Sequence, residues 1–364
     1  MIKSAYIHVP FCTSICSYCD FCKFYYDERI VSNYLISLEK EIMENYQNEE
    51  LETIYIGGGT PSSLSLEELK RLLTIAQRFH FSKNYEYTVE CNIENITEEK
   101  MKLLSDYGVN RISIGIQTFQ EKYLKFLNRK NTKKEVFEKI KMVKKYISNI
   151  NVDLIYAIPG ETIEELEDDL NCFLSLNIPH ISTYSLIIEE HTLLYNQKIE
   201  SISEELDLKM YEYIQERLSN YHHYEISNFA LSGLESKHNL TYWNNEEYYG
   251  FGLGASGYIH SMRYENTRSM NHYLSGNYIL KSHVLTEKEK IENEFILGLR
   301  KINGISLTVL NKKYSKDFLK SKTIQELLNK GLLIQQQDFL KIPLKYIYVS
   351  NDILVHFIDW EEDF

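Results

Sequence analysis

Four of the six cysteines in this 364-residue chain lie close together, and their spacing suits iron–sulfur chemistry. Cys12, Cys16 and Cys19 form a Cys-x3-Cys-x2-Cys run, and Cys22 follows after two more residues. Three thiolates on one loop can hold three irons of a 4Fe–4S cluster, which leaves the fourth iron without a protein ligand. That open iron can chelate the amine and the carboxylate of S-adenosylmethionine (SAM). One electron passed to the SAM sulfonium would then cleave a C–S bond and give a 5′-deoxyadenosyl radical.

The same cysteines allow three other interpretations. A structural zinc site usually draws two pairs of ligands from separated turns, whereas these thiols share one segment. A bacterial ferredoxin cluster has the spacing Cys-x2-Cys-x2-Cys-x3-Cys followed by Pro, from which this run departs. Buried thiols without a ligand are the third interpretation, although four of them in so short a segment argue against it. Cys22 could be a spare thiol, a transient ligand or a core residue beside Phe21 and Phe24, and we expect it to be inert or spare.

Apolar segments that alternate with amphipathic stretches predict an α/β fold around the cysteine run. Ser or Thr followed three residues later by Glu predicts helix starts at Ser65, Thr132 and Thr162. The strand–helix repeat over residues 5–188 predicts a parallel sheet covered by helices, with the cysteines directly after the first strand, where such folds build active sites. Periodicity alone does not separate an open sheet from a barrel. The six predicted strands are 5–10, 53–57, 86–92, 111–117, 152–157 and 181–187.

After about residue 190 the alternation of strands and helices ends. Helices followed by a hairpin predict a small α+β, winged-helix-like C-terminal domain. Because the chain is acidic, we interpret this domain as structural or partner-binding rather than DNA-binding. The predicted features are a helix over 203–218, an irregular region over 222–260, helices over 287–300 and 323–330 opened by capping boxes at Thr286–Glu289 and Thr323–Glu326, a cap at Gly331 and a hairpin strand in 340–350. The predicted domains are 1–230, 231–285 and 286–364.

Composition and charge limit the classes of function. The formal net charge is −12, so the chain lacks the basic footprint of a general nucleic-acid binder. No stretch approaches the roughly 18 consecutive apolar residues of a membrane span, and no secretory signal is visible. We expect a cytoplasmic protein that binds no nucleic acid and has no integral membrane segment. Peripheral association at the inner membrane face and a homodimer are further expectations.

Several longer motifs resemble the radical SAM superfamily and, within it, the heme chaperones related to oxygen-independent coproporphyrinogen III oxidase. The motifs cover nearly the whole chain in the family's order. The resemblance implies an incomplete (β/α) barrel that carries the cluster and SAM, together with a small C-terminal domain. The motifs are YIHVPFCTSICSYCDF (6–21), IYIGGGTPSSL (54–64), VECNIENIT (89–97), GVNRISIGIQTF (108–119), DLIYAIPGET (153–162), YEISNFA (224–230), HNLTYW (238–243), YYGFGLGASG (248–257) and FILGLRKINGISL (295–307).

The resemblance implies that SAM lies at the carboxyl ends of the predicted strands. Glu90 would take the ribose hydroxyls, as carboxylates do in dinucleotide sites, and Arg129 would pair with the SAM carboxylate through its fork of donors. A glycine-rich turn would contact the methionyl amine, because glycines let the backbone approach a ligand closely. The turn is Gly57, Gly58, Gly59 and Thr60, and the further implied contacts are Gln117, Asp153, Tyr6 and Tyr18.

Without the resemblance, each of these residues has an ordinary structural interpretation. The glycines could form a tight turn and Glu90 could be an ion-paired strand end. Arg129 lies among lysines in the sequence NRKNTKK and could belong to the surface. Asp153 could be a salt-bridge partner, and the tyrosines could be core residues.

The segment HNLTYW (238–243) resembles a motif linked to heme binding in the heme chaperones. A neutral imidazole is a good axial ligand for heme iron, which suits His238. On a helix Tyr242 would share its face, and Tyr242 and Trp243 would offer flat apolar surface to a porphyrin. The alternative is that His238 bridges a core turn and Trp243 packs inside. The implied partners are heme, apo-hemoproteins as recipients and a reductant for the cluster.

A second function from another class stays open. A radical SAM oxidase could remove the propionate carboxyl groups of a tetrapyrrole with the same cluster and SAM. Such oxidases continue the cysteine motif as Cys-x-Cys, whereas here two residues separate Cys19 from Cys22. Only five residues precede Tyr6, so we expect the N-terminal extension of the oxidases to be absent.

Overall fold

The computed structural model describes residues 1–360 of the chain, which divides into two compact units. The first unit comprises Met1–Arg217 and Glu247–His283. The second comprises Leu218–Glu246 and the described residues from Val284 onward. Each unit is thus built from two separate chain segments. The middle segment expected over 231–285 is shared between the two units rather than standing alone.

Strands and helices are numbered in chain order. The strands are β1 Ser4–Val9, β2 Phe11–Cys12, β3 Phe24–Tyr25, β4 Glu50–Gly58, β5 His80–Asn92, β6 Arg111–Gln117, β7 Asn149–Tyr156, β8 His180–Ser185, β9 His222–Glu225, β10 Asn228–Ala230, β11 Tyr249–Phe251, β12 Ser256–Ile259, β13 Met262–Asn266, β14 Ile279–Val284, β15 Ile305–Ser306, β16 Ile334–Gln336 and β17 Phe339–Lys341. The helices are α1 Glu28–Asn45, α2 Leu66–Ala76, α3 Glu98–Asp106, α4 Glu121–Phe126, α5 Lys133–Val143, α6 Ile163–Leu176, α7 Leu193–Asn196, α8 Glu204–Arg217, α9 Lys237–Trp243, α10 Met270–Leu274, α11 Glu287–Gly298, α12 Leu307–Tyr314, α13 Lys322–Asn329 and α14 Ser350–Leu354.

Seven parallel strands form the main sheet of the first unit, in the order β11-β1-β4-β5-β6-β7-β8. The order is linear over the described residues, so the predicted incomplete barrel of an α/β fold is confirmed. Helices connect the successive strands from β4 to β8. The predicted capping boxes at Ser65, Thr132 and Thr162 are confirmed, because both reciprocal hydrogen bonds are present in each.

The two faces of this sheet differ in character, since side chains alternate along each strand. On β6, Ile112 and Ile114 belong to the fully buried apolar core. Ser113, Gly115 and Gln117 of the same strand point the other way and line a cavity. One face of the sheet therefore stabilises the fold, and the opposite face is left for polar chemistry.

Residues 247–283 are the second chain segment of the first unit, and they add a strand beside β1. β11 pairs in parallel with β1. The buried carboxylate of Glu41 on α1 accepts hydrogen bonds from the Gly252 backbone N at 2.8 Å, Asn266 Nδ2 at 2.6 Å and the Tyr273 hydroxyl at 2.6 Å. Three donors from one segment thus converge on one side chain of α1 and fix residues 247–283 to the first helix.

The second unit contains the β9–β10 hairpin, α9, α11 to α14 and a three-stranded antiparallel sheet in the order β15-β17-β16. Its core is aromatic. Phe295 stacks on Phe357 with ring centroids 4.8 Å apart and meets Phe318 and Trp360 edge-on, each at 5.2 Å. Helices followed by a small sheet match the predicted winged-helix-like organisation.

Two local predictions for the second unit are wrong. The helix α13 begins after Ser321, whose Oγ accepts from Ile324 N at 3.3 Å, so the box predicted at Thr323 does not open it. The strand predicted in 340–350 ends at Lys341. Pro343 has no N–H for a strand ladder, and the chain continues into a 3-10 turn and α14.

Candidate functional site

The cysteine loop opens onto one cavity of the first unit. The side chains of Cys12, Cys16 and Cys19 line this cavity together with residues from the ends of β4, β5, β6 and β7. Cys22 does not line it. A Cβ on Gly254 would lie 2.6 Å from Cys22 Cβ, so Cys22 packs against a glycine that leaves it just enough space. The structure therefore separates Cys22 from the other three thiols.

The thiols of Cys12, Cys16 and Cys19 are the candidate ligands for a metal group in this cavity. Within residues 1–360, no group of three or more His, Cys, Asp or Glu side chains is gathered closely enough to hold one metal ion. A 4Fe–4S cluster differs from a single ion, because each thiolate binds its own iron. Burial raises the pKa of Cys12 to about 11, so metal binding must displace the thiol proton. Three thiols that line one cavity could each bind a different iron of one cluster.

Backbone contacts hold the cysteine loop in place. Ser17 N donates to Leu127 O at 3.2 Å, and Ser17 O accepts from Leu194 N at 3.1 Å. Asn128 Nδ2 donates to Ile15 O at 2.7 Å. The segment that follows α4 is thereby fixed beneath the loop, and the next residue of that segment is Arg129.

Arg129 is buried beside Cys16, and the alternative of a surface arginine is wrong. Its Nη1 donates to Cys16 Sγ at 3.5 Å, and its Nη2 donates to Gly115 O at 2.6 Å and Asn92 Oδ1 at 3.0 Å. Its Nε is buried and has no hydrogen-bond partner among the described residues. Glu94 Oε2 lies 3.8 Å from Nη2, and the unused Nε can still donate to an anionic ligand group.

The glycine turn after β4 is shaped by close contacts on both sides. Gly58 has φ +106 and donates its N–H to Glu90 Oε2 at 2.9 Å. A Cβ on Gly58 would lie 2.4 Å from the ring of His8, and one on Gly57 would lie 2.6 Å from Glu90 Cδ. Gly58, Gly59 and Thr60 line the cavity. Only glycine fits this approach of the turn to β1 and β5.

Two partly buried carboxyl groups, those of Glu90 and Asp153, lie in the cavity wall. Glu90 accepts from the Tyr55 hydroxyl at 2.6 Å, and burial raises its pKa to about 7, with a smaller contribution from the charge of Asp153. Asp153 accepts from Asn151 Nδ2 at 2.9 Å, and burial raises its pKa as well. Both carboxyl groups line the same cavity as the cysteines, where ribose hydroxyls could donate to them.

Asn92 is a site residue that the sequence analysis missed. It lies two positions after Glu90, and its Nδ2 donates to Thr60 Oγ1 at 2.9 Å while its Oδ1 accepts from Arg129. It therefore connects the glycine turn to the buried arginine. The alternation of side chains along β5 could have identified it, because residues 90 and 92 share a face.

The other predicted SAM contacts occupy different places. Tyr18 lines the cavity and packs on an apolar cluster that includes Leu127 and Ile158. Gln117 also lines the cavity, at a positive φ of 74. Tyr6 is not among the lining residues, and its hydroxyl donates to His8 Nδ1 at 2.9 Å.

If Glu90 binds the ribose of SAM, as the resemblance implies, SAM binding should weaken as pH falls from about 8 to about 6, because a carboxyl group must be ionised to accept two hydroxyl groups. The pKa of Glu90 is raised to about 7, so the acceptor is present above that pH and is lost below it. Equilibrium binding of SAM across this range tests the expectation. In Glu90→Gln the group is neutral throughout, and the affinity should be weaker and much less dependent on pH. An equally steep pH profile in that variant would assign the titration to another group.

The three residues that the resemblance implies for heme, His238, Tyr242 and Trp243, lie in the second unit on the short helix α9. His238 is buried, and its Nε2 lies 2.7 Å from the Tyr242 hydroxyl. The two rings meet edge-on with centroids 5.0 Å apart. Trp243 follows five residues after His238, so it points to a different side of the helix and lines a separate cavity. In this conformation the Nε2 of His238 is engaged within the protein.

In the part of the chain that the structure describes, no helix combines the length and the apolar character needed to cross a bilayer.

Comparisons with known proteins identify a matching family, curated relatives and a solved structure of similar fold. The family model of the Radical SAM superfamily matches residues 6–173. The chain is 42% identical to heme chaperone HemW of Lactococcus lactis over 98% of this chain and 97% of that protein. It is 39% identical to heme chaperone HemW of Bacillus subtilis over 98% and 99% of the two chains. The solved structure of coproporphyrinogen III oxidase (HemN) from Escherichia coli, a radical SAM enzyme, has a TM-score of 0.85 at 20% identity, covering 98% of this chain and 90% of that one.

Proposed function

Because the chain belongs to the HemW family within the radical SAM superfamily, we propose that it is a heme chaperone that binds heme and delivers it to apo-hemoproteins. The observation that carries the proposal is the 42% identity to a heme chaperone over 98% of the chain. The family's other cofactors are a 4Fe–4S cluster and SAM, and their role here would be to control assembly or transfer. When bound together they can supply one-electron cleavage of SAM.

The cavity of the first unit has the groups that both cofactors need. We assign cluster ligation to Cys12, Cys16 and Cys19. Arg129 would bind the SAM carboxylate, and Glu90 would bind the ribose. The glycine turn would bind the methionyl amine, with Asp153, Gln117, Tyr18 and Tyr6 as further contacts or supports. The shared cavity, the unused Nε of Arg129 and the two partly buried carboxyl groups support these assignments, except those of Tyr6 and Gly57, which do not line the cavity.

Heme is proposed to involve the segment HNLTYW of α9. His238 is the proposed axial ligand, with Tyr242 as its aromatic neighbour. Trp243, which points to another side of α9, would have to offer its ring from there. Because His238 Nε2 lies 2.7 Å from the Tyr242 hydroxyl, ligation of iron by that nitrogen requires the tyrosine to move away. Tyr242 would then act as an internal competitor that keeps the imidazole covered until heme arrives.

Heme titration of two variants tests the role of His238. His238→Ala should weaken heme binding and shift the Soret band, because an axial ligand to iron is lost. Tyr242→Phe keeps the ring but removes the competing hydroxyl, so heme binding should be as tight as in the wild type or tighter. An unaltered Soret band in His238→Ala would assign the ligand to another histidine or to a thiolate.

The chaperone and the oxidase make opposite predictions for one anaerobic assay. With reduced cluster, SAM and coproporphyrinogen III, we expect no decarboxylation, and with heme and an apo-hemoprotein we expect transfer of heme to the recipient. HemN from Escherichia coli, incubated in parallel, is the positive control for decarboxylation. Accumulation of protoporphyrinogen would contradict the proposed chaperone function and favour the oxidase function. Failure to load any tested recipient would also count against the proposal.

Other partners belong to the same proposal. A reductant for the cluster is needed if SAM is cleaved, and the side chain of Cys19 also lines an outer pocket with Lys23 and Arg268 where electrons could enter. We also propose that the protein is cytoplasmic and associates peripherally with the inner membrane face. It would assemble as a homodimer. Light scattering of the purified chain and fractionation of cells check these two points.

A further inference from the structure

Thr60 and Cys12 meet at the wall of the cavity that the cysteine loop lines. Both residues are buried, and Thr60 Oγ1 lies 3.6 Å from Cys12 Sγ. A backbone hydrogen bond fixes this approach, since Thr60 N donates to Phe11 O at 2.8 Å, directly before Cys12. The end of the glycine turn is therefore held against the first cysteine by its main chain, and its hydroxyl faces the sulfur.

Asn92 determines the direction of the contact between Thr60 and Cys12. A guanidinium has donors only, so the amide oxygen of Asn92 must face Arg129, and Oδ1 accepts from Nη2 at 3.0 Å. The amide nitrogen therefore faces Thr60, and Nδ2 donates to Oγ1 at 2.9 Å. A hydroxyl has one proton, which Asn92 leaves available for the sulfur. A thiolate that binds iron has no proton of its own, so Cys12 would accept from Thr60.

Cys16 receives a hydrogen bond from the other end of the same chain of contacts. Arg129 Nη1 donates to Cys16 Sγ at 3.5 Å, while Nη2 of the same guanidinium donates to Asn92. One amide thus connects the donors that face two candidate cluster ligands. Hydrogen bonds to the sulfurs of an iron–sulfur cluster change its reduction potential. Reduction adds one negative charge to the cluster, so a donor stabilises the reduced state more than the oxidised state.

We propose that Asn92 is a positioning residue that holds the Thr60 hydroxyl as a donor to Cys12, and that this hydrogen bond raises the reduction potential of the cluster. The inference rests on the cluster ligands assigned under the proposed function. A higher potential lets a weaker reductant supply the one electron that the cluster takes up. The backbone of the glycine turn would then serve SAM, and the hydroxyl at its end would serve the cluster.

The midpoint potential of the reconstituted full chain, measured anaerobically from the EPR signal of the reduced cluster, tests the inference. Thr60→Val keeps the shape of the side chain but removes the donor. The equilibrium for reduction should fall about tenfold, which is about 59 mV for one electron. Thr60→Ser keeps a hydroxyl and should restore most of the potential. The matched control is Ser63→Ala, which removes a nearby buried hydroxyl that donates to Phe11 O at 3.1 Å.

Asn92→Asp tests the direction of the hydrogen bond. A carboxylate keeps the contact with Arg129 but offers Thr60 no donor, so the hydroxyl proton should turn from Cys12 to the carboxylate. The added negative charge lowers the potential as well, and the same change in the Thr60→Val background measures that effect alone. We expect the potential to fall further in the wild-type background than in Thr60→Val, because only the wild type has the hydroxyl.

The outcomes separate the inference from the cluster assignment. A potential in Thr60→Val equal to that in Ser63→Ala, at equal iron and sulfide content, would overturn the inference and leave the proposed function intact. Equal falls for Asn92→Asp in the two backgrounds would overturn the role of Asn92. Thr60→Ala replaces Thr60→Val if valine prevents cluster assembly, and the same fall is expected. Failure of the wild type to bind a cluster would overturn the ligand assignment together with the inference.

Discussion

Replacement of Cys12, Cys16 or Cys19 by alanine is expected to abolish binding of the 4Fe–4S cluster, whereas Cys22→Ala should keep most of it. The three thiols line one cavity, and each would bind one iron, so loss of any one leaves an iron without its protein ligand. Cys22 lies outside that cavity and packs against Gly254. Iron and sulfide content after anaerobic reconstitution, together with the visible absorption of the cluster, gives the comparison.

Cys22→Ala is the matched control for this experiment, since it removes a thiol from the same loop. Cys22→Ser provides a second control if alanine leaves a void beside Gly254. Loss of iron on changing Cys22 as large as that on changing Cys16 would contradict the three-ligand assignment. It would then favour a site of four thiols and reopen the interpretation as structural zinc.

Arg129→Ala is expected to weaken SAM binding by tens of fold. A hydrogen bond to a charged group contributes roughly 1.5–3 kcal/mol, and Arg129 is buried at the wall of the cavity with Nε unused. Calorimetry of the cluster-loaded protein with SAM gives the change in affinity directly. Unchanged affinity would restrict Arg129 to its contacts within the protein, which are with Cys16, Glu94, Gly115 and Asn92.

Two further variants separate SAM binding from structure. Lys130→Ala removes the next, exposed cation of the same segment and should leave SAM affinity unchanged. Arg129→Lys keeps the charge but not the planar fork, so its SAM affinity should fall between those of the wild type and Arg129→Ala. Thermal unfolding of Arg129→Ala must be measured alongside, because the side chain also holds Gly115 O and Asn92 Oδ1.

The sequence predicted those parts of the fold and site that depend on short-range order. Strand ends carry the cavity residues, and the Ser–Glu and Thr–Glu capping boxes open α2, α5 and α6 as expected. The spacing of the cysteines alone predicted that Cys12, Cys16 and Cys19 share one site, and all three line the same cavity. Spacing and periodicity are local properties, which is why one sequence was sufficient for them.

What the sequence did not predict depends on contacts between distant residues. The burial of Arg129 follows from its bonds to β5 and β6, and its local sequence is that of a surface. The pairing of His238 with Tyr242 depends on the rotamers within α9 and not on the motif. The early end of β17 is different, since Pro343 stood in the sequence as a signal against the longer strand.

The pairing of β11 with β1 has a consequence for the order of events on the ribosome. β1 leads directly into the cysteine loop, but its edge partner comes from residues 249–251, which leave the ribosome much later. Until then β1 has an unpaired edge, and pairing between such distant segments is slow to form. We therefore expect the cluster to enter only after synthesis has passed residue 283, where the segment held by Glu41 is complete. A nascent chain stalled between residues 217 and 247 would carry all the cluster cysteines on an unfinished sheet, and such a chain is more prone to aggregate than to acquire iron.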